Sequence, residues 1–94
     1  MSESILSNEK LCFACYTPIN LHKHHIFYGV GNRKRSEEFG CWVYLCDRHH
    51  NMSDDGVHFN KPFDITLKKY CQEKWEELHG DREQFIRTFG KSYL

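Results

Sequence analysis

Apolar positions divide the chain into two parts of different rhythm. In residues 61–94 they recur at helical spacing. Leu67, Tyr70, Cys71, Trp75 and Leu78 follow one another at three- and four-residue steps, which predicts one amphipathic helix. Asp64, after Pro62, is the expected N-cap of that helix, and Gly80 its stop. Asp81 then caps a second helix carrying Phe85, Ile86 and Phe89 on one side, with Gly90 at its end. Stripes of this kind face a core. Residues 11–60 lack that period. Two short aromatic and β-branched runs, residues 26–30 and 42–45, read as strands. The connection between them spans residues 31–40, and Ser36 offers a cap for one helical turn within it. Residues 46–52 suit a short helix, followed by a loop around Gly56. Residues 1–10, polar and mixed in charge, read as a loosely held arm. The expected fold class is α+β, in one domain spanning residues 1–94.

Composition sharpens this picture at one point. Five Cys and seven His in 94 residues are far above ordinary usage. The start of the chain lacks the basic and apolar segments of a secretory signal, and no apolar run approaches the roughly 18 residues of a membrane span. A cytoplasmic setting with reduced thiols is therefore expected. Small domains with reduced cysteines often supplement a thin core with a structural metal.

The spacing agrees with a metal. Cys12 and Cys15 form a C-x2-C knuckle, and Cys46 and His49 form a C-x2-H pair about thirty residues later. A two-residue gap lets one turn of backbone aim both side chains at one ion, so the pairs together predict a Cys3His zinc site. A redox pair or buried free thiols are the alternatives, but no βαβ pattern surrounds the knuckle. Cys41 and Cys71 have no partner at ligand spacing and read as core thiols.

His24 and His25 precede the first predicted strand run, His50 follows His49 directly, and His58 comes later in the loop. Neighbouring side chains on extended backbone point to opposite sides, so a bend would be needed to bring His24 and His25 to one site. Imidazole is both a metal ligand and the natural base near neutral pH, so these residues are candidates for a second metal site or an active site. His22 reads as a surface residue, and His79 as a partner of a helix C-terminus.

Charge is balanced, thirteen basic against thirteen acidic residues, which argues against a protein that wraps nucleic acid by bulk charge. The distribution is uneven, however. Lys23, Arg33, Lys34 and Arg35 share a stretch without acids, whereas Glu73, Glu76, Glu77, Asp81 and Glu83 make the helical part acidic. A basic run beside His24 and His25 suits phosphate contact; otherwise it is a solvated loop.

The knuckle at Cys12 and Cys15, the His24-His25-Ile26 segment, and the run Val43-Tyr44-Leu45-Cys46 ending in His49-His50 together resemble the HNH (ββα-metal) nucleases. The resemblance covers residues 11–60 and is closest to zinc-braced members and small phage nucleases. It implies a zinc-braced ββα-metal module, here with two C-terminal helices. By that resemblance Cys12, Cys15, Cys46 and His49 hold a structural zinc, and His25 is the general base. His24 and His50 would then ligate a catalytic divalent ion, Mg²⁺, Mn²⁺ or Ni²⁺. His58 is a third ligand or a phosphate contact. Lys23, Arg33, Lys34 and Arg35 would touch a DNA backbone. Cys41 stands where the family has its middle Asn. The implied activity is metal-dependent hydrolysis of DNA phosphodiesters, in phage or prophage DNA processing or recombination, with a homodimer as one arrangement. Two other readings stand beside it. One is a non-catalytic zinc module that binds DNA or a protein partner, such as a phage-encoded inhibitor. The other is a structural zinc domain within a larger assembly.

Overall fold

A computed structural model describes residues 3–29, 31–52 and 60–94, with side chains for all of these except Asn51 and Met52. The described residues form a small α+β structure. In chain order it contains β1 (Leu21–His25), α1 (Asn32–Phe39), β2 (Trp42–Cys46), a π-helical turn (Arg48–Met52), α2 (Lys61–Leu78) and α3 (Arg82–Phe89). The two strands pair antiparallel, with Leu21 opposite Cys46 and His25 opposite Trp42.

The first strand lies earlier than its apolar pattern predicts. It runs over Leu21–His25 and stops where residues 26–30 were expected to begin one. One more ladder bond follows, from Ile26 N–H to the Cys41 carbonyl (2.9 Å). Beyond it, the buried Ser36 hydroxyl accepts from Phe27 N–H (3.1 Å) and donates to the Phe27 carbonyl (2.6 Å). Both backbone groups of Phe27 are thus satisfied by a side chain, and the strand has nothing further to pair with. Ile26 and Phe27 are buried core residues, which explains their apolar character without a strand.

Ser36 accordingly lies inside α1 rather than at its start. That helix runs between Gly31 and Gly40, both with positive φ (81° and 74°). Gly40 admits no side chain, because a Cβ there would collide with the Glu3 carbonyl. The N-terminal stretch is correspondingly held: Ser4 is buried, its hydroxyl donates to the Trp42 carbonyl (2.6 Å), and Ile5 N–H reaches the Gly40 carbonyl (2.9 Å). The loose arm expected from its polarity is, at Ser4 and Ile5, fastened to the sheet edge.

The helical part follows its pattern with local differences. Asn60, not Asp64, caps α2, its side chain accepting from Phe63 N–H (3.1 Å). Asp64 is buried one turn in, paired with the Lys68 ammonium (2.9 Å). Asp81 caps α3 as expected, in a capping box with Gln84, and Gly90 ends it. Leu67, Cys71 and Trp75 are buried, whereas Tyr70, Leu78 and Ile86 are exposed at the margins of their stripes. The core joins these helices to the sheet through Phe27, whose ring lies 5.1 Å from Phe85 and 4.5 Å from Phe89. Cys41 and Cys71 are fully buried in it. The hydrogen bond with Cys41, and then burial, push the Cys71 thiol far up. Among the described residues no helix is long and apolar enough to cross a membrane.

Replacing Ser36 with Ala strands two buried backbone groups at Phe27. An unmade buried hydrogen bond costs about 1–3 kcal/mol. With two groups stranded, urea unfolding of Ser36→Ala is expected to show a loss of about 2–6 kcal/mol with an unchanged denaturant slope.

Candidate functional site

The metal-ligand cluster is built from two turns held by one strand. In the first turn, Tyr16 N–H bonds the Cys12 carbonyl (2.8 Å), and Tyr16 itself has φ 63°. Phe13 N–H reaches the Tyr44 carbonyl (2.8 Å) and ties this turn to β2. The second turn starts at Cys46, the last residue of β2, and His49 follows within the π-helical turn. The four ligand atoms all lie within 4.8 Å of one another. Cys15 Sγ and Cys46 Sγ are 3.7 Å apart, Cys12 Sγ is 3.7 Å from His49 Nδ1, and Cys46 Sγ is 3.3 Å from it.

These lengths fit a tetrahedron. Metal–sulfur bonds of about 2.3 Å give sulfur–sulfur edges of about 3.8 Å, and sulfur–nitrogen edges are slightly shorter. The donor set, three thiols and an imidazole, is that of a structural zinc. Burial pushes the Cys12 thiol up, but hydrogen bonds from the backbone at Cys46, Cys15 and Ala14 outweigh it and hold the thiol below its ordinary range. At Cys15 the Thr17 backbone pulls the thiol down, but desolvation and the hydrogen bonds with Cys12 and Cys46 outweigh it and push that thiol up, so the backbone favours the thiolate at Cys12. Cys12, Cys15, Cys46 and His49 are placed to hold one metal ion.

Next to this cluster is a cleft of about 400 Å³, lined by Lys23, His24, His25, Tyr28, Gly29, Arg33 and His50. The alternation of β1 divides its histidines. His24 is buried, with its ring centre 5.5 Å from that of His50 at a steep angle. His22, on the same strand face, stacks on His50 at 5.2 Å and bonds Asp47 through Nε2. The expected surface residue is thus half-exposed but engaged. His25 belongs to the other face and bonds Glu37 of α1 through Nε2 (3.0 Å). His24 and His25 stand on opposite faces of the strand and both line the cleft, and the chain bends directly after them at Ile26 and Phe27.

The basic residues are distributed unequally. Arg33, Lys34 and Arg35 are exposed on α1, and Arg33 lines the cleft. The Lys23 ammonium donates to both Glu37 oxygens (2.9 Å each) and lies 4.3 Å above the Trp42 ring. The hydrogen bonds from His25 and then Lys23 hold the Glu37 carboxyl below its usual range. His79 ends α2 with its amide bonded to the Trp75 carbonyl (2.8 Å) and its ring against Phe39. His58 lies outside the described residues.

Three contributors escaped the sequence pattern. Glu37 belongs to a connection with no spacing signal, Asp47 lies between two proposed ligands, and Tyr28 resembles a core aromatic. The Tyr28 hydroxyl donates to Asp64 (3.1 Å), and Lys68 lies 4.3 Å above its ring, so α2 fixes one wall of the cleft. Burial first, then the Asp64 charge, push the Tyr28 phenol up.

Comparison with protein-family models, curated proteins and solved structures finds no match to this chain.

Metal removal tests the cluster directly. Structural zinc contributes about 10–16 kcal/mol in small metal-folded peptides, as much as the whole stability of about 5–15 kcal/mol typical of a domain. The purified chain is expected to carry one zinc per molecule, and a strong chelator should abolish its cooperative thermal transition. An unchanged midpoint and helical signal after chelation would exclude a structural metal at these four residues.

Proposed function

We propose that this protein is a metal-dependent endonuclease of the HNH (ββα-metal) type, hydrolysing DNA phosphodiester bonds, in phage or prophage DNA processing. The observation that supports this best is the meeting of His24, His25, His50 and Arg33 in one cleft beside the Cys3His cluster. Zinc at Cys12, Cys15, Cys46 and His49 would brace the end of the hairpin, and so fix His50 next to His49. His24 and His50 are the proposed ligands of a second divalent ion. Their ring centres lie 5.5 Å apart, edge to face.

In this reading the cleft receives one phosphodiester of the DNA backbone. His25 takes a proton from a water molecule, whose oxygen attacks the phosphorus as the 3′ oxygen departs. A divalent ion held by His24 and His50 would supply charge neutralisation at the phosphate and at the departing oxygen. Arg33 contacts the backbone at the cleft, and Lys34 and Arg35 extend that contact along α1 without reading sequence. An imidazole-rich site favours softer ions, so Mn²⁺ or Ni²⁺ should serve at least as well as Mg²⁺.

One observation favours a second reading, a zinc module that binds DNA or a protein without cutting. Cys41, at the place of the family's Asn, is fully buried among core residues.

Plasmid nicking with Mg²⁺, Mn²⁺ and Ni²⁺ separates the two. The wild type is expected to nick, and His25→Ala to lose about 10³- to 10⁴-fold, the upper part of what a general base contributes. Equal cleavage by both would exclude His25 as the base. No cleavage by a folded, zinc-loaded wild type would favour the binding module.

A further inference from the structure

The base of the proposed nuclease has a partner that no motif reveals. His25 Nε2 lies 3.0 Å from Glu37 Oε1, and the Lys23 ammonium holds both oxygens of that carboxylate at 2.9 Å. Lys23 is itself confined over the Trp42 ring. Three elements meet here: Lys23 and His25 come from β1, Trp42 from β2 and Glu37 from α1. We propose that Glu37 is a positioning residue, which sets the tautomer and orientation of the His25 imidazole. This proposal rests on the nuclease reading for its effect on cleavage, and on geometry alone for its effect on the proton.

The reasoning is one of hydrogen-bond capacity. An ionised carboxylate only accepts, and a lysine ammonium only donates. Lys23 therefore keeps Glu37 an acceptor, and the proton in the His25–Glu37 bond belongs to Nε2. That leaves the lone pair on Nδ1 as the basic position. When Nδ1 takes a proton from water, the imidazolium keeps its Nε2 proton towards Glu37, whose negative charge balances the new positive one. The depressed carboxyl of Glu37 agrees with this arrangement, since both neighbours favour its charged form. In the hydrolase triads an aspartate holds its histidine in the same manner. Here the carboxylate comes from the helix that connects the two strands.

Two substitutions separate positioning from mere support. Glu37→Gln preserves size, but its amide can donate to Nε2 and so favour the tautomer with the proton on Nδ1. Glu37→Ala removes the bias without reversing it. Plasmid nicking by Glu37→Gln is expected to fall about 10³- to 10⁴-fold, as for the carboxamide in a triad. Glu37→Ala should fall less, about 10- to 100-fold, the usual effect of losing an orienting partner. The decisive readout is the long-range ¹H–¹⁵N correlation pattern of the His25 ring. It should report an Nε2 proton in the wild type and a shift towards the Nδ1 proton in Glu37→Gln, with zinc content and thermal midpoint confirming the fold of each protein.

An Nδ1 proton in the wild type, or an Nε2 proton unchanged in a folded Glu37→Gln, would overturn the proposal. So would equal losses of nicking in Glu37→Gln and Glu37→Ala. A wild type that shows the expected tautomer and its reversal, yet never nicks DNA, would sink the nuclease reading and leave the Glu37–His25 arrangement standing.

Discussion

The convergence of Cys12, Cys15, Cys46 and His49 is the constraint on which the site depends. Three sulfurs and an imidazole nitrogen within 4.8 Å of one another are compatible with charged thiolates only when a cation shares the space. The cluster joins the turn before β1 to the end of β2, so it closes the hairpin at the end opposite α1. A chain of 94 residues buries a smaller fraction of its surface than a larger domain does. A metal held at these four residues would add cohesion at one end of a hairpin whose first strand is the polar run Leu21–His25.

That polar strand supplies cleft-lining side chains from both of its faces because it alternates. His22 and His24 face His50, which the turn after Cys46 presents. Lys23 and His25 face Glu37 on α1. One strand thus feeds two different environments: a group of imidazoles on one face and a charge-balanced trio on the other. Residues of both faces, His24 on one and Lys23 and His25 on the other, line one cleft. α1 has two tasks in this arrangement. Its buried Ser36 takes both backbone groups of Phe27 and so stops the ladder before that residue, and the next residue, Glu37, reaches His25.

The helical layer is more than a lid on the core. Asp64 and Lys68 form an ion pair with little solvent exposure, and such pairs are retained only when further contacts satisfy them. Here the Tyr28 hydroxyl bonds Asp64, and the Tyr28 and Tyr93 rings receive the ammonium at 4.3 and 5.3 Å. Tyr28 belongs to the cleft wall, so packing of α2 determines the shape of the cleft. Gln72, fully buried, accepts from Tyr93 N–H (2.7 Å) and fastens the C-terminal residues that complete this packing.

Much of this was legible in the amino-acid sequence by itself. The knuckle spacings identified the four metal-placed residues, the three- and four-residue steps identified α2 and α3, and Asp81 and Gly90 marked the ends of α3. Each knuckle and each helix signal is local, a short backbone segment dictating its geometry, and the matching ligand chemistry of the two knuckles pairs them across some thirty residues. The sequence missed what depends on distant segments meeting. β1 lay outside its apolar run, because strand limits are set by hydrogen-bond partners and Ser36 takes those of Phe27. Asp64 changed from a cap to a buried ion-pair partner, because Asn60 was nearer the helix start and Lys68 and Tyr28 were waiting inside. Glu37 beside His25, and His22 against His50, carry no spacing signal at all. Only the tertiary structure brings them together, because a side chain's partner across a fold is chosen by how elements pack and not by its distance along the chain.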